Sequence, residues 1–566
     1  MSEAYGLLER PPVERKLVQI WLLFVSREAQ RRLVLLSLGY RLTQDSRLLD
    51  RCEAELSALV AFEDFNPSHF LDTAEMAAGL ALADHWLADS LAPQTRASIR
   101  QALVDKVLKP ARGDHFWWTA ETNWNSVCLA GLSLAASTIE SSHPALFQET
   151  IDRVRRHSHY GFGSYEAQGV YPEGVTYWTY GTTFAALLIE CLDWLEPSRE
   201  PVALPEAFEQ TTEFRTRVEG TSGRVFTYAD VHKEERWLEP VLFWFARRLN
   251  RPECIANQLP LAHAWPPPSF ADPRATEHAR RVSTRFVPFM LMWPAPDDVQ
   301  GVGDKPKAWS GGERCPVWTY TDEASGMYVA AKGGSGAVNH AHLDAGSFVL
   351  DLGGKRWATD LGGEDYTSVR PHVKGLFNPD QESDRWSLLR HRNQFHNTMT
   401  VADRLHDPKG HAPITRVDPH AERHADIDMT APLRASVAVA RRRISIVDRN
   451  TVRIIDRVGG ATGELCWTML TSAAVDVESN GCKLTLGNET VLLRVLRPSA
   501  FQIKAEFVDL ERASYESPCD GITRIRVLVG ACPQVNICVS IAILQSIACV
   551  TRLTRSRNED ERFRSP

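Results

Sequence analysis

Apolar residues recur with two different periods along this chain, and the change of period divides it. In the first half Met76, Leu80, Ala83 and Leu87 fall at i, i+4, i+7 and i+11. Phe184, Leu187, Leu188, Cys191, Leu192 and Leu195 fall at i, i+3, i+4, i+7, i+8 and i+11, and Pro197 follows. Both spacings put the apolar side chains on one face of an α-helix. Similar stretches predict helices near 28–40, 47–61, 97–109, 125–137 and 238–249. Helices in series with no strand signal between them predict hairpins in a bundle or toroid.

From about Trp318 the pattern shortens to β-rich runs. Ser347–Leu352 and Lys355–Asp360 flank Gly353-Gly354, a hairpin signal. Asn480-Gly481 and Gly487-Asn488 mark further tight turns, and Ile444–Val447 and Thr451–Ile455 flank Asp448-Arg449-Asn450. Pro266-Pro267-Pro268 and Pro294-Ala295-Pro296 bracket the change of pattern. The expected layout is a helical domain over 1–265, a proline-rich linker over 266–310, an antiparallel sheet domain over 311–550, and a charged tail over 551–566.

At 566 residues the chain is too long for one compact domain. Its formal net charge of −7 argues against a general nucleic-acid binder. The apolar run Leu17–Val25 is too short to span a bilayer, so no membrane partner is expected. The 11 cysteines are scattered without a C-x-x-C pair and read as buried thiols, not as a disulfide framework. Half of the 18 histidines lie between His340 and His424, and residues 370–411 add Arg370, Lys374, Arg385, Arg390, Arg392, Arg404 and Lys409. That segment is either a solvated basic surface or a site for an anionic ligand.

The densest chemistry lies in Asn339-His340-Ala341-His342-Leu343-Asp344-Ala345-Gly346-Ser347-Phe348, followed by Asp360 and by His396-Asn397-Thr398. On a regular strand His340 and His342 would share a face, which Asp360 and His396 could join from neighbouring strands. Imidazole and carboxylate suit a zinc-type ion. Two clusters sit in the helical half. Thr122-Asn123-Trp124-Asn125 reads either as a helix N-terminus with packing or as part of a site. Tyr171-Pro172-Glu173-Gly174-Val175-Thr176-Tyr177-Trp178-Thr179-Tyr180 reads either as a turn with core aromatics or as part of a site.

Taken in order, Asn-Trp-Asn, Glu-Gly-x-x-Tyr-x-x-Tyr, Asn-His-x-His-x-Asp-x-Gly-Ser-Phe and His-Asn-Thr resemble the heparinase II/III-like polysaccharide lyases. Alginate lyases and dermatan-sulfate epimerases are related to that scaffold. The resemblance spans roughly residues 20–540. It implies a multidomain α+β protein with an N-terminal incomplete (α/α) toroid and a C-terminal antiparallel β-sandwich. It implies a lyase acting by β-elimination on a uronate polysaccharide or oligosaccharide, a glycosaminoglycan first. The implied catalytic residues are Asn123 and His340, which neutralise the uronate carboxylate, and Tyr177, the acid/base. His340 is also a candidate base. Trp124, Asn125, Glu173, Tyr180, Asn339 and Arg392 are the implied substrate contacts. His342, Asp360 and His396 are the implied ligands of a structural Zn2+ or another divalent cation.

Trp124 departs from the pattern, since several relatives carry histidine beside the asparagine. Four readings remain open. They are a lyase, a uronate C5-epimerase on the same scaffold, a zinc hydrolase with Glu364 as candidate base, and a non-catalytic carbohydrate-binding protein. The resemblance implies work in the periplasm or outside the cell. The N-terminus Met-Ser-Glu-Ala-Tyr shows no signal peptide, and the alternative is a cytoplasmic enzyme acting on imported oligosaccharides.

Overall fold

The computed structural model describes all residues except 199, 232–235, 265–284, 297–298, 300–305, 416–422 and 545–566. The expected tail therefore lies outside the described residues. The helical half contains Leu23–Thr43 (α1), Ser46–Val60 (α2), Phe70–Trp86 (α3), Pro93–Leu103 (α4), Asn123–Ser137 (α5), Pro144–His157 (α6), Gly174–Leu195 (α7), Glu206–Arg217 (α8) and Pro240–Arg248 (α9). Local chemistry sets several starts. Asp45 caps α2 by accepting from the Arg47 amide, and Pro93, Pro144 and Pro240 occupy first-turn positions where no N–H is needed.

Alternate helices pack in series, α1 on α3, α3 on α5 and α5 on α7, with α2 outside α1 and α6 outside α5. This is the arc of an incomplete (α/α) toroid. The inner helices are covered on all sides, which changes what their polar residues must do. On α3 every residue from Phe70 to Asp84 is buried, including three carboxylates. Each has a charged or polar partner: Asp72 accepts from the Leu22 amide and Asn66, Glu75 from Arg27, and Asp84 from Arg96 and Arg100. Gly131 of α5 sets the α3–α5 spacing, because a Cβ there would lie 2.5 Å from the Ala74 carbonyl oxygen.

The stretch 266–310 is more than a linker. Phe286, Phe289 and Trp293 are buried in the helical core, and the first strand already starts at Ala308. These large aromatics gain more from burial than a solvated connection would allow. The proline run 266–268 lies outside the described residues.

Three antiparallel sheets follow. The first is a meander of Ala308–Gly311 (β1), Val317–Asp322 (β2), Met327–Lys332 (β3), Phe348–Leu352 (β4) and Lys355–Ala358 (β5), with Gly353-Gly354 forming the β4–β5 turn. Further strands include Met399–Val401 (β6), Ile414–Thr415 (β7), His424–Asp428 (β8), Val439–Asp448 (β9), Thr451–Gly459 (β10) and Leu465–Thr471 (β11). The remainder are Ala474–Glu478 (β12), Gly481–Leu486 (β13), Glu489–Arg497 (β14), Gln502–Phe507 (β15), Thr523–Val529 (β16) and Gln534–Ile543 (β17). The second sheet runs β12-β13-β14-β17-β10-β9-β8-β7, and the third β15-β16-β11-β6. Phe348, Leu350, Trp357, Met399, Ile454, Trp467 and Leu493 share one core between them.

One buried ion pair ties this core to the loop before β4. Arg442 of β9 faces Asp456 of β10 at 2.7 and 2.8 Å, and its remaining nitrogen donates to the carbonyls of Gly346 and Asn397. Asn397 in turn donates to the Phe348 and Thr359 carbonyls and accepts from the Leu470 amide. The Asn of the His-Asn-Thr motif therefore clamps backbone from three segments.

His406 gives the fold a pH dependence. It is buried with Nε2 donating to the Met399 carbonyl at 2.8 Å, and burial pushes its pKa down to about 4. The unfolded chain takes up this proton below about pH 6.5, while the folded chain refuses it until about pH 4. Stability is therefore expected to fall as pH drops through that window, by up to ~3 kcal/mol from this group. Denaturant melts of wild type and His406→Gln between these pH values check it. The variant should show the flatter profile, and superimposable profiles would refute the assignment.

Candidate active site

His340 and His342 do not lie on a strand. Residues 333–347 form the irregular connection between β3 and β4, and His340 adopts φ 60°, a left-handed conformation that costs a non-glycine residue of order 1 kcal/mol. The two imidazoles meet at a carboxylate that periodicity gave no reason to single out, Asp230. His340 Nδ1 lies 2.8 Å from Asp230 Oδ2, and His342 Nε2 lies 3.0 Å from Oδ1. Asp230 belongs to the helical half, in the segment between α8 and α9, so this contact joins the two halves. Absent side chains let that segment in. A Cβ on Gly174, at φ 81°, would lie 2.7 Å from the Tyr228 carbonyl, and one on Gly363 would lie 2.8 Å from the Asp230 Cα.

Asp230 is fully buried and densely bonded. Tyr366 donates its hydroxyl to Oδ2, His391 Nε2 lies 3.6 Å from Oδ1, and the Arg385 guanidinium is 4.0 Å away. Burial alone would raise its pKa. The hydrogen bonds from His340 and His342, with His391 and Arg385 close by, outweigh that and hold it well below the usual carboxylate range.

Tyr177 lies in the second turn of α7. Its ring stacks on His340 with centroids 4.0 Å apart, and its hydroxyl is 3.2 Å from that of Tyr366. Burial, and then the Asp230 carboxylate, push the Tyr177 phenol above its ordinary value, so it rests as a neutral O–H. The positive environment that a basic Tyr177 would need is replaced here by a negative one. Asn123 opens α5 and packs against Gly181, one turn beyond Tyr177, and its buried Oδ1 has no hydrogen-bond partner among the described residues. Glu173, the residue before α7, accepts from Asn339 at 2.6 Å, with its second oxygen also unpartnered. Tyr177, His340, Glu173 and Asn339 are thus gathered at the seam between the halves, while Asn123 lies against α7 one turn beyond Tyr177.

The cation donors are arranged differently from the expected trio. Among the described residues, the group whose ligand atoms lie within 4.8 Å of one another is Asp230, His342 and His391. The expected Asp360 and His396 pair with each other, Nδ1 to Oδ2 at 2.8 Å, and the His396 ring lies 5.4 Å from that of His342. Burial keeps His342 and His391 below the ordinary histidine pKa, whereas Asp360 outweighs burial at His396 and raises it. Neutral imidazoles are ligands; an imidazolium is not. The donor set fits a metal. Both His391 nitrogens, His342 Nδ1 and His396 Nε2 are buried without hydrogen-bond partners. The separations of 3.0 and 3.6 Å from Asp230 Oδ1 bracket the ~3.3 Å between neighbouring ligands of a tetrahedral zinc.

Several expected contacts serve the scaffold instead. Asn125 donates to the carbonyls of Trp117 and Trp118 and accepts from the Gly161 amide, fixing a turn. Tyr180 donates to Glu75 at 2.6 Å and lies beneath Arg27 and Arg285, which commits its hydroxyl within the helical core. Arg392 lies over Phe395 in a run of short 3-10 turns. Arg390 is drawn inward to Glu364 at 3.0 Å, which also removes Glu364 as a base. Asp344 pairs with the buried Lys332. Trp124 is half-buried, edge-on to His69 and against the exposed Phe116.

A cleft of about 350 Å³ opens beside this centre. Thr122, Glu173 and Asn339 line it, neighbours in the chain of Asn123, Gly174 and His340. Sequence reasoning missed Asp230, Tyr366 and His391. Asp230 sits in Tyr228-Ala229-Asp230-Val231 with no spacing to another site residue, and His391 lies in the basic segment whose pattern leaves a solvated surface and an anion site equally open.

Residues 323–523 match the family described as heparinase II/III-like, C-terminal. The whole chain has the fold of solved lyase structures. A heparinase III structure superposes with TM-score 0.61 at 12% identity, covering 92% of this chain and 77% of that one. A heparan sulfate lyase from Pedobacter heparinus (a mutant) gives 0.59 at 12% identity, covering 94% and 79%. A Paenibacillus xanthan lyase gives 0.51 at 9% identity, covering 96% and 56%. Comparison with curated protein sequences returns no significant match.

Proposed function

We propose that the protein is a polysaccharide lyase that cleaves a uronate-containing chain by β-elimination. The observation that carries this reading is the neutral Tyr177 phenol stacked on His340, whose Nδ1 is held by buried Asp230. The likeness of fold to heparinase III supports it.

The reaction needs three things. A proton alpha to a carboxylate must leave C5, and an ionised carboxylate resists this because the developing enediolate would carry two negative charges. Donors fixed in place must offset that charge, in the manner of an oxyanion hole. Asn123 supplies its side-chain N–H groups to that carboxylate. His340, with Nδ1 engaged by Asp230, has Nε2 left to take the C5 proton. As C5–H breaks, its electron pair forms the C4=C5 double bond, C4–O4 breaks, and Tyr177 protonates the leaving oxygen. The product is an unsaturated uronate and a free hydroxyl. Tyr366 holds the Tyr177 hydroxyl in place.

Asp230, His342 and His391 would hold a divalent cation, zinc by their donor chemistry. Such an ion supplies fixed positive charge and a crosslink between the halves. Metal analysis of the purified protein should find an equimolar divalent ion that His391→Ala removes, and chelation should lower the melting temperature of wild type more than of the variant. Equal metal content in both would exclude this donor set.

The activity is tested by incubating the protein with a panel of uronate polymers and reading the ultraviolet absorbance and mass of the products. Unsaturated ends, one water lighter than hydrolysis products, are expected. Saturated ends would mean a hydrolase. Deuterium uptake from heavy water without chain cleavage would mean a C5-epimerase.

A further inference from the structure

We propose that the seam carries a second subsite, which holds an anionic sugar of the bound chain outside the cleaved uronate, with Arg370 as its cation and Trp124 and Phe116 as its floor. This rests on the reading of the ligand as an acidic polysaccharide. Arg370 is placed by the element that carries Tyr366. It ends the short helix Tyr366–Val369, and its amide donates to the Tyr366 carbonyl at 3.1 Å. Side chains four apart share a helix face, so Arg370 lies one turn along from the hydroxyl that meets Tyr177 and His340. Its guanidinium crosses the seam and lies 4.6 Å from the centre of the Trp21 ring. Gln19 crosses at the same place, donating to the Thr367 carbonyl at 2.7 Å. Arg385 and Arg390 of the same basic segment are engaged by the Ala341 carbonyl and by Glu364. The half-buried Arg370 guanidinium has no acceptor among the described residues.

From Trp21 an aromatic band continues into the helical half. The His69 ring stands edge-on to both Trp21 and Trp124, with centroids 6.3 and 4.9 Å apart, and Phe116 lies 4.8 Å beyond Trp124. Phe116 is 65% exposed, and Trp124 directly follows Asn123 at the start of α5. Together they offer apolar area that the fold leaves uncovered, and sugar rings present C–H faces to such surfaces. A polar group is set among the rings. His69 Nδ1 is held by buried Asp72 at 2.6 Å, which fixes the imidazole, and its Nε2 has no partner among the described residues. Aromatic walls with a few oriented polar groups are the usual composition of a ligand site. The band starts beside Asn123 at one end and one turn from Tyr366 at the other, so its occupant is a sugar of the chain that the reacting centre holds. A guanidinium takes a carboxylate or a sulfate through paired N–H groups.

The test measures binding and turnover separately on wild type, Arg370→Ala, Arg370→Lys and Phe116→Ala, with heparosan, heparan sulfate and polymannuronate. Calorimetry gives the affinity whether or not the chain is cleaved. Arg370→Ala should weaken binding and raise KM roughly tenfold or more with kcat within about threefold, because a charge-assisted contact away from the reacting atoms acts on ground and transition states alike. Arg370→Lys should recover part of the loss, and salt should shrink the gap between wild type and Arg370→Ala. Phe116→Ala should weaken binding about fivefold on every chain that binds. A loss with Arg370→Ala on heparosan and polymannuronate assigns the anion as a carboxylate, and a loss confined to heparan sulfate assigns it as a sulfate. Unchanged affinity and KM in Arg370→Ala overturn the proposal while leaving the lyase reading intact. Binding that depends on Arg370 without unsaturated product removes the lyase reading and leaves this subsite standing. Binding of none of the three chains removes both.

Discussion

Tyr177→Phe should abolish turnover while leaving the protein folded and its substrate bound. The substitution removes one oxygen from a ring whose packing against His340 stays intact, so the melting temperature should move little. The lost hydroxyl belongs to the phenol stacked on His340, and it rests neutral because burial and Asp230 oppose its ionisation. General acid catalysis of this kind contributes about 10²–10⁴-fold, and a sugar alkoxide is a poor leaving group, so kcat should fall by roughly 10³ or more. KM should stay within about threefold, because the hydroxyl acts on the transition state more than on the bound chain. Kinetics on the best substrate of the panel decide the matter. Retention of more than about a tenth of kcat would move the acid role to Tyr366, whose hydroxyl is 3.2 Å away.

Asp230→Asn should damage both stability and catalysis. The wild-type carboxylate accepts from His340, His342 and Tyr366 and faces His391 and Arg385, all buried or nearly so. A carboxamide has one accepting oxygen, and its NH2 would point a donor at donors. Breaking a buried charged cluster at one member typically costs about 3–5 kcal/mol. The left-handed backbone at His340 then loses the contact that holds its ring. A loss of roughly 3 kcal/mol in denaturant unfolding and about 10²-fold in kcat is expected, with the metal content falling too. If the variant unfolds like wild type and turns over within about threefold, Asp230 is not the hub of the site.

The elements of the fold were legible because their local signals agreed with their tertiary setting. The Phe184–Leu195 stripe, stopped before Pro197, lies in α7, and Gly353-Gly354 turns between β4 and β5. The helical extent beyond 265 was not read because Phe286, Phe289 and Trp293, though spaced i, i+3 and i+7, form a short run hemmed by proline groups and are placed by the core they fill. Among site residues, Asn123, Tyr177 and His340 stood in quotable motifs. Asn125 and Tyr180 stood in the same motifs, yet the structure uses them to fix a turn and to bond Glu75. A motif places residue types near one another along the chain, and helical rotation then decides which of them reaches the seam.

The sequence by itself determined the division into helices and sheets, the order of the motifs and the kinds of group available. Those properties are written in periods of a few residues and in backbone chemistry. Only the tertiary structure decided which groups meet. Asp230 lies 110 residues from His340 and 136 from Tyr366, and no local pattern links them. It also decided their charge states. A buried carboxylate among histidines, a phenol kept neutral beside it, and arginines satisfied by backbone carbonyls are consequences of burial and partner choice, and both are set by how the two halves of the chain close on each other.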